Sequence, residues 1–297
     1  MLRISLSYPV RATAAVAAVA VALAISALAM TPARAADRFP GAYVALGDSY
    51  TSGPGIPGQV PGSLLCFRSD HNYPSLLARA INPASFTDVS CAGAVTASMT
   101  SPQGLAAPQF KALGPDDRLV SVGIGGNDVG FASIAVTCIA LALLDPSGAP
   151  CQAHYTSGGT DQVAAAIAQT APKIAAVLRG IHQRAPHARV LLIGYPDIVP
   201  DSASDCAPGV NDPLAAGDIP WVNGEEKALN RMLAAQAAAN GATYVNTYRS
   251  SIGHDACQAP GTRWIEGVVN VQNAFPIHPN ALGMRNDTRQ ILAALNG

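Results

Sequence analysis

Short apolar runs that end in glycine or proline recur along the chain and predict buried strands. The clearest runs are 42–46, 119–124, 189–193 and 242–245, and a weaker fifth lies at 86–89. Runs of this length with such boundaries are typical of strands that are covered on both faces in a parallel sheet.

Apolar residues at helical spacing predict helices between these strands, at 161–184, 221–240 and 279–295. We expect Pro172 to break or kink the first helix, Gly241 to end the second and Pro279 to occupy the first turn of the third. Strands that alternate with helices predict an α/β fold, in which helices cover both faces of a parallel sheet. Functional side chains in such folds gather at the carboxyl ends of the strands.

The first 36 residues have the pattern of an export signal. Arg3 and Arg11 precede an apolar run at 12–30, and the small residues Ala33, Ala35 and Ala36 follow it. This pattern predicts cleavage after Ala35 or Ala36, a secreted protein without stable membrane insertion, and a single domain at 37–297. The alternative is a retained anchor, because 19 apolar residues could just span a bilayer.

Loss of that segment removes three basic residues and no acidic ones, which leaves 15 basic residues against 19 acidic ones. A mildly acidic protein without a basic cluster is a poor candidate for binding nucleic acid or an anionic membrane surface. The remaining length suits one α/β domain with a large core.

Six cysteines lie beyond the signal segment, at positions 66, 91, 138, 151, 206 and 257. An even number in an exported chain predicts three disulfides, with the pairing left open. A metal site is the alternative. The chain has no Cys-x-x-Cys pair and no histidine at ligand spacing from a cysteine, so we expect neither a metal nor a cofactor.

A serine follows the first predicted strand directly, in Gly47-Asp48-Ser49. An ester hydrolase needs a hydroxyl at an exposed, tightly turned position that a base can reach. If a helical turn begins at Ser49, its free N–H groups would also stabilise a developing oxyanion. The alternative interpretation is that Asp48 and Ser49 merely cap a helix.

Three further residues could complete such a site. The Asn127 amide, in a glycine-rich turn that ends the second strand, could donate to an oxyanion, and so could the N–H of Gly93. His278, at a loop-to-helix junction, would supply a base with a pKa near neutral. Each also has a simpler explanation: a Gly-Asn turn, a glycine required by backbone geometry and a structural histidine.

Together these blocks resemble the SGNH (GDSL-type) hydrolase family, from about residue 42 to the C terminus. The resemblance implies a flavodoxin-like three-layer α/β/α sandwich. It implies Ser49 as nucleophile, His278 as base, and an oxyanion hole made by the N–H groups of Ser49 and Gly93 and the Asn127 side chain. The six cysteines are similar to those of secreted actinobacterial esterases, lipases and phospholipases of the family, which implies the pairs Cys66–Cys91, Cys138–Cys151 and Cys206–Cys257.

The chain departs from the family pattern at one position. The family usually has an aspartate three residues before the histidine, whereas this chain has Phe275 there, followed by Pro276. Some members that this chain resembles use a Ser–His dyad, in which a backbone carbonyl accepts the histidine Nδ1–H. The carbonyl of Phe275 or Pro276 is the candidate here, and a distant acid, Asp255 or Asp197, is the alternative.

The expected function is therefore secreted carboxylic ester hydrolysis by serine acyl-enzyme chemistry, on a small-molecule or lipid ester, by a monomer. We expect the segments 54–64, 138–151 and 197–220 to form the rim of the acyl pocket. The apolar stretch 138–144 could line a lipid-accepting cleft or be a core helix. The alternatives are a carbohydrate acetyl esterase, a phospholipase, and a non-enzymatic, cell-wall-associated binding module.

Overall fold

The computed structural model describes residues 39–63, 65–207 and 214–297, so the predicted export signal lies outside the described residues. Each of the five predicted strands forms within two residues of its expected bounds. The strands are β1 Ala42–Gly47, β2 Ser85–Asp88, β3 Asp117–Gly123, β4 Arg189–Ile193 and β5 Thr243–Val245. They form one parallel sheet in the order β2-β1-β3-β4-β5, which is the flavodoxin-like order.

Helices flank these strands. Their bounds are α1 Ser49–Ser52, α2 Tyr73–Ile81, α3 Gly126–Val129, α4 Phe131–Ala142, α5 Pro150–Thr156, α6 Gln162–Arg184, α7 Ile219–Ala239, α8 Tyr248–Ser251 and α9 Ala281–Asn296. Among these helices, none combines the length and apolarity that crossing a bilayer requires.

Alternate residues of each strand supply two separate cores. Val44 and Leu46 of β1 face one cluster, which includes Leu178 of α6 and Leu233 of α7. Tyr43 and its neighbours on the other face of the sheet meet a second cluster, formed with Leu77 of α2 and with Met284 and Ile291 of α9. Because strand side chains alternate between faces, the sheet is covered on both sides, and the predicted three-layer α/β/α sandwich is confirmed.

The structure corrects two helix predictions. Of the two effects predicted for Pro172, the break is wrong, since α6 continues through it as one helix, and the kink stays a prediction. Buried residues beyond the proline, among them Ile174 and Leu178, hold that part of the helix on the sheet. Pro279 is not in the first turn of α9, which begins at Ala281. The Asn280 side chain caps this helix by accepting from the N–H groups of Leu282 and Gly283 within the first turn.

The disulfides form in the three pairs that the family resemblance implies, Cys66–Cys91, Cys138–Cys151 and Cys206–Cys257. The first joins the loop after α1 to the loop after β2. The second joins α4 to α5, and the third ties the loop after β4 to the loop after α8. All three therefore brace segments at the carboxyl edge of the sheet, where the candidate site lies.

Candidate functional site

Ser49 is the first residue of α1, immediately beyond the carboxyl end of β1. Gly47, with φ of 151°, makes the turn, and a side chain there would collide with Thr51 and with the backbone of β3. The Asp48 carboxylate accepts from the Tyr50 N–H at 2.9 Å, so Asp48 does cap a helix. The capping interpretation is thus correct for Asp48, while the Ser49 hydroxyl is left free to take part in chemistry.

The Ser49 hydroxyl lies against the imidazole of His278. The distance from Ser49 Oγ to His278 Nε2 is 2.9 Å, and the distance from His278 Nδ1 to the Pro276 carbonyl oxygen is 2.8 Å. With the Nδ1–H tautomer, His278 donates to Pro276 and accepts from Ser49. This is the arrangement that activates a serine nucleophile.

Neither of the distant acids contacts His278. Asp197 accepts from the Asn223 amide at 3.2 Å, and Asp255 accepts from the Cys257 N–H at 3.0 Å. The Phe275 carbonyl is also engaged, because it accepts the His278 backbone N–H at 3.2 Å. Of the candidates from sequence, the Pro276 carbonyl is the one that the fold brings to Nδ1.

The residue before the histidine is held in a strained conformation. Ile277 has φ of 58°, a region that β-branched residues rarely occupy. Its N–H donates to the Glu266 carbonyl at 2.9 Å, and its carbonyl accepts from the Tyr50 hydroxyl at 2.6 Å. The Tyr50 ring also lies 5.2 Å from the His278 ring. Tyr50, next to the serine, therefore fixes the histidine loop over it.

Asn127 and Gly93 lie on two loops that are clamped together. The Asn127 amide donates one hydrogen to the Ala94 carbonyl at 2.9 Å. The neighbouring Asp128 carboxylate accepts from the N–H of Thr96 at 2.8 Å and from its hydroxyl at 2.6 Å. Gly93 has φ of 78°, so its glycine is required by the backbone, as the simpler explanation held. The structural role of Asn127 is compatible with an oxyanion role, because the Ala94 carbonyl takes only one of its two amide hydrogens. The structural role of Gly93 concerns its φ angle and leaves its N–H to donate.

Tyr195 is a site residue that the sequence did not single out. Its hydroxyl donates to the Asp48 carboxylate at 2.6 Å and accepts from the Gly126 N–H at 2.8 Å. It therefore joins the serine turn to the turn that carries Asn127. Burial raises the pKa of Asp48 to about 7, and the Tyr195 hydrogen bond opposes that rise. The one available signal was the position of Tyr195 at the carboxyl end of a predicted strand.

A largely apolar cavity of about 400 Å³ opens beside Ser49 and His278. It runs along α4, and its wall includes Phe131, Ile134 and Ile139 of that helix, with Ile198 and Val199 opposite. The segments 138–151 and 197–220 contribute to the wall, as expected. The segment 54–63 does not line the cavity; instead the Pro54 carbonyl accepts the Phe275 N–H, which supports the histidine loop.

The apolar stretch 138–144 both belongs to a partly buried helix and contributes to the cavity wall. Cys138 is buried in α4 and lines the cavity, whereas Leu143 and Leu144 just beyond the helix are 82% and 83% exposed. Within the described ranges, no cluster of three His, Cys, Asp or Glu side chains is arranged to hold a metal ion. The geometry is that of a serine and histidine facing an apolar cleft.

The pKa of His278 is lowered from 6.5, mainly because burial disfavours the imidazolium, although the Pro276 carbonyl opposes this. If His278 is the base that accepts the serine proton, it must be neutral, and its protonation at low pH then removes activity. We therefore expect kcat/KM to stay on its plateau below pH 6.5 and to fall with a midpoint under that value. A pH-stat assay on a short triglyceride measures this. An acid limb centred at or above pH 6.5, with the fold intact by circular dichroism, would contradict the assignment.

Comparison with known proteins agrees with this geometry. A family model described as GDSL-like Lipase/Acylhydrolase matches residues 45–285. A protein named Lipase 2 from Streptomyces coelicolor is 44% identical over 247 residues, which cover 82% of this chain and 82% of the relative.

Two solved structures have the same fold. The phospholipase A1 of Streptomyces albidoflavus is 31% identical with a TM-score of 0.71, covering 86% of this chain and 98% of that one. The extracellular lipase of Streptomyces rimosus is 29% identical with a TM-score of 0.70, covering 86% and 99%.

Proposed function

This chain belongs to the GDSL-like lipase and acylhydrolase family and is a hydrolase of the lipase and esterase kind, and we propose that it is a secreted carboxylic ester hydrolase with a Ser49–His278 dyad. The observation that carries the proposal is the 2.9 Å contact between Ser49 Oγ and His278 Nε2 at the mouth of an apolar cavity. A hydroxyl, a base and a place for an acyl chain therefore meet at one point.

The proposed reaction has two halves. His278 Nε2 takes the Ser49 proton while Oγ attacks the ester carbonyl carbon, and a tetrahedral oxyanion forms. The intermediate collapses, the C–O bond to the alcohol breaks, and His278 protonates the leaving oxygen. In the second half, His278 takes a proton from water while the water oxygen attacks the acyl-enzyme carbonyl carbon. The bond to Ser49 Oγ then breaks, His278 returns the proton to Oγ, and the acid leaves.

In this proposal a backbone carbonyl replaces the usual acid. The Pro276 carbonyl accepts the Nδ1–H of His278 at 2.8 Å, which fixes the tautomer and the orientation of the ring. The partner of a catalytic histidine must supply this orientation, and a carbonyl dipole also stabilises the imidazolium, less strongly than a carboxylate would. The hydrogen bonds that hold Ile277 keep this carbonyl in place.

We assign the oxyanion hole to the N–H groups of Ser49 and Gly93 and the Asn127 amide. The N–H groups of Ser49 and Gly93 donate to no other group in the described part of the chain. As the first N–H of α1, the Ser49 donor is one that a helix leaves unsatisfied. The Cys91 N–H donates to the Gly47 carbonyl at 3.0 Å, which places the Gly93 loop against the serine turn.

The apolar cavity favours acyl chains longer than acetyl over a carbohydrate acetyl ester. Its wall is made mainly of aliphatic and aromatic side chains, and an acetyl group would leave most of the 400 Å³ unfilled. The exposed Leu143 and Leu144 would meet a lipid phase next to the cavity wall. Similarity to the phospholipase A1 of Streptomyces albidoflavus is consistent with a lipid ester substrate.

Export is supported by two observations. All six cysteines are paired in disulfides, which persist in oxidising compartments. The similar lipase of Streptomyces rimosus is extracellular. The predicted cleavage after Ala35 or Ala36 remains a prediction.

Labelling and an ester panel test this proposal together. A p-nitrophenyl phosphonate should attach covalently to Ser49, as read by peptide mass spectrometry, because only an activated serine attacks phosphorus. In p-nitrophenyl esters of increasing chain length, kcat/KM should rise beyond acetyl. Absence of both labelling and hydrolysis would instead support the non-enzymatic binding module, and a maximum at acetyl would support a deacetylase.

A further inference from the structure

The apolar cavity beside Ser49 follows helix α7 away from the sheet. The α7 residues that line it recur every three or four positions and therefore share one face of the helix; they are Trp221, Val222, Glu225, Glu226 and Leu229. The first and the last of them are eight positions apart, so this face rises about 12 Å. The cavity therefore extends about that far along α7.

One end of this face lies at the serine turn. Next to Leu229, the side-chain oxygen of Asn230 accepts from the Tyr195 N–H at 2.9 Å. The Tyr195 hydroxyl in turn donates to the aspartate that precedes Ser49, at 2.6 Å. Leu229 is therefore level with the serine turn, whereas Trp221, in the first turn of α7, lies at the opposite end of the cavity.

Helix α6 gives the same direction. Its residues Val163 and Ile167 line the cavity, whereas the Ile174 side chain lies against Gly125, just beyond the end of β3. Asp161, which caps α6, is 13 positions before Ile174, so the helix begins about 20 Å from the sheet edge along its axis. Both helices therefore begin beyond the sheet edge, on the side where the cavity lies.

The Trp221 side chain bridges these two helix ends. Its indole Nε1–H donates to Asp161 Oδ2 at 2.7 Å, so the ring reaches from α7 to the cap of α6. The other oxygen of that carboxylate accepts from the N–H groups of Val163 and Ala164. The indole ring also stacks on Tyr155 of α5, with ring centroids 5.9 Å apart. Three helices therefore hold the ring at the far end of the cavity.

The helices around this ring are themselves tied together. A disulfide joins Cys151 of α5 to Cys138 of α4, which lines the cavity. Asp218, immediately before α7, accepts from the Cys151 N–H at 3.0 Å and from the Gln152 N–H at 2.8 Å. The starts of α5 and α7 are thus fixed to α4, which makes the far end of the cavity a rigid wall.

We propose that Trp221 determines the longest acyl chain that the enzyme accepts, by ending the cavity about 12 Å from the serine turn. An extended chain of roughly ten carbons spans that distance. The preferred substrates are then esters of medium-chain fatty acids. This inference rests on the proposed ester hydrolase function, and it adds an upper limit to the preference for chains longer than acetyl.

The physical reason is a change in what each added methylene gains. Up to the wall, each methylene that enters the cavity leaves water, which raises kcat/KM. A longer chain must displace the fixed indole or bend back into solvent, so its additional methylenes gain nothing or cost packing energy. The value of kcat/KM should therefore rise with chain length and then fall.

A chain-length series tests the proposal. With p-nitrophenyl esters from acetate to palmitate, wild-type kcat/KM should reach its maximum near decanoate. In Trp221→Ala the maximum should move up by about four carbons, because that is roughly the length that the ring occupies. The value for palmitate should rise by about tenfold, while that for butyrate should change by less than about twofold.

Trp264→Phe is the matched control, because Trp264 is the second of the two tryptophans in the chain. It is also partly buried, but it stacks on His254, with ring centroids 3.7 Å apart, and it does not line the cavity. Its replacement should leave the maximum near decanoate. A wild-type profile that rises steadily to palmitate, a maximum that stays in place in Trp221→Ala, or one that moves equally in both variants would overturn the proposal.

The fluorescence of Trp221 gives a second readout that needs neither catalysis nor loss of the ring. In a protein with Ser49→Ala and Trp264→Phe, Trp221 is the remaining tryptophan. Free fatty acids are added below their critical micelle concentrations. Decanoic acid should shift the emission, because its chain reaches the indole, and butyric acid should not.

This measurement separates the inference from the function on which it rests. Emission that responds to both acids, or to neither, would overturn the role of Trp221 even if esters are cleaved. Failure of the wild type to cleave any ester would overturn the proposed function instead, and the fluorescence comparison would still decide whether an acyl chain ends at Trp221.

Discussion

Ser49→Ala is expected to lower kcat for a p-nitrophenyl ester by on the order of 10⁴-fold or more while leaving the melting temperature within a few degrees of the wild type. The hydroxyl is the atom that would form the acyl-enzyme, so no other described group replaces it at 2.9 Å from His278. Residual turnover would come from the oxyanion donors and from substrate binding alone. Steady-state kinetics and a thermal melt measure the two quantities.

Ser52→Ala is the matched control for this substitution. Ser52 lies on the same short helix α1, it is fully buried, and its Oγ has no hydrogen-bond partner within the described ranges. Its loss should change kcat less than threefold or so, because it removes neither a reacting atom nor a hydrogen bond. If both variants keep wild-type turnover, Ser49 is a helix-terminal residue and not a nucleophile.

The sheet and most of the candidate site could be predicted from the sequence. Four of the five described strands lie in short apolar runs with a glycine or proline boundary, as expected of strands that are covered on both faces. The edge strand β2 is the exception and gave the weakest signal. The carboxyl ends of β1 and β3 then place Ser49 and Asn127 on the same edge by geometry alone. His278 could be chosen among six histidines because it comes just before a helix.

Distant contacts other than those that the family resemblance implies could not be predicted. Tyr195 meets Asp48 across 147 positions, and the Tyr50 hydroxyl reaches the Ile277 carbonyl across 227. Apart from the position of Tyr195 at the carboxyl end of a predicted strand, no local pattern marks either tyrosine, because each looks like a core aromatic.

The two corrected helix predictions have different physical causes. Pro172 disfavours a helix interior, yet the buried side chains beyond it outweigh that local cost through packing on the sheet. At α9, the Asn280 cap competes with Pro279 for the start of the helix, and its two hydrogen bonds decide the outcome. Local propensity therefore set the presence of these helices, whereas tertiary contacts and capping set their continuity and bounds.

Asn127→Ala is expected to lower kcat by on the order of a hundredfold with KM changed little. The amide has two hydrogens, and the Ala94 carbonyl takes one of them at 2.9 Å. In our assignment the other reaches the oxyanion, which exists only in the transition state and the intermediate. Loss of such a donor therefore appears in kcat and kcat/KM equally. Asn127→Asp should cost at least as much, because it replaces a donor with a negative charge.

Thr96→Val separates this catalytic effect from simple loosening of the loop. It removes the 2.6 Å hydrogen bond from the Thr96 hydroxyl to Asp128, which clamps the same two loops together, but it leaves Asn127 and the Thr96 N–H contact in place. We expect kcat to fall by less than about tenfold, with a lower melting temperature, because one hydrogen bond of the clamp is lost. If Thr96→Val and Asn127→Ala reduce kcat equally, or if the Asn127→Ala loss lies in KM, then Asn127 holds a turn and does not stabilise the oxyanion.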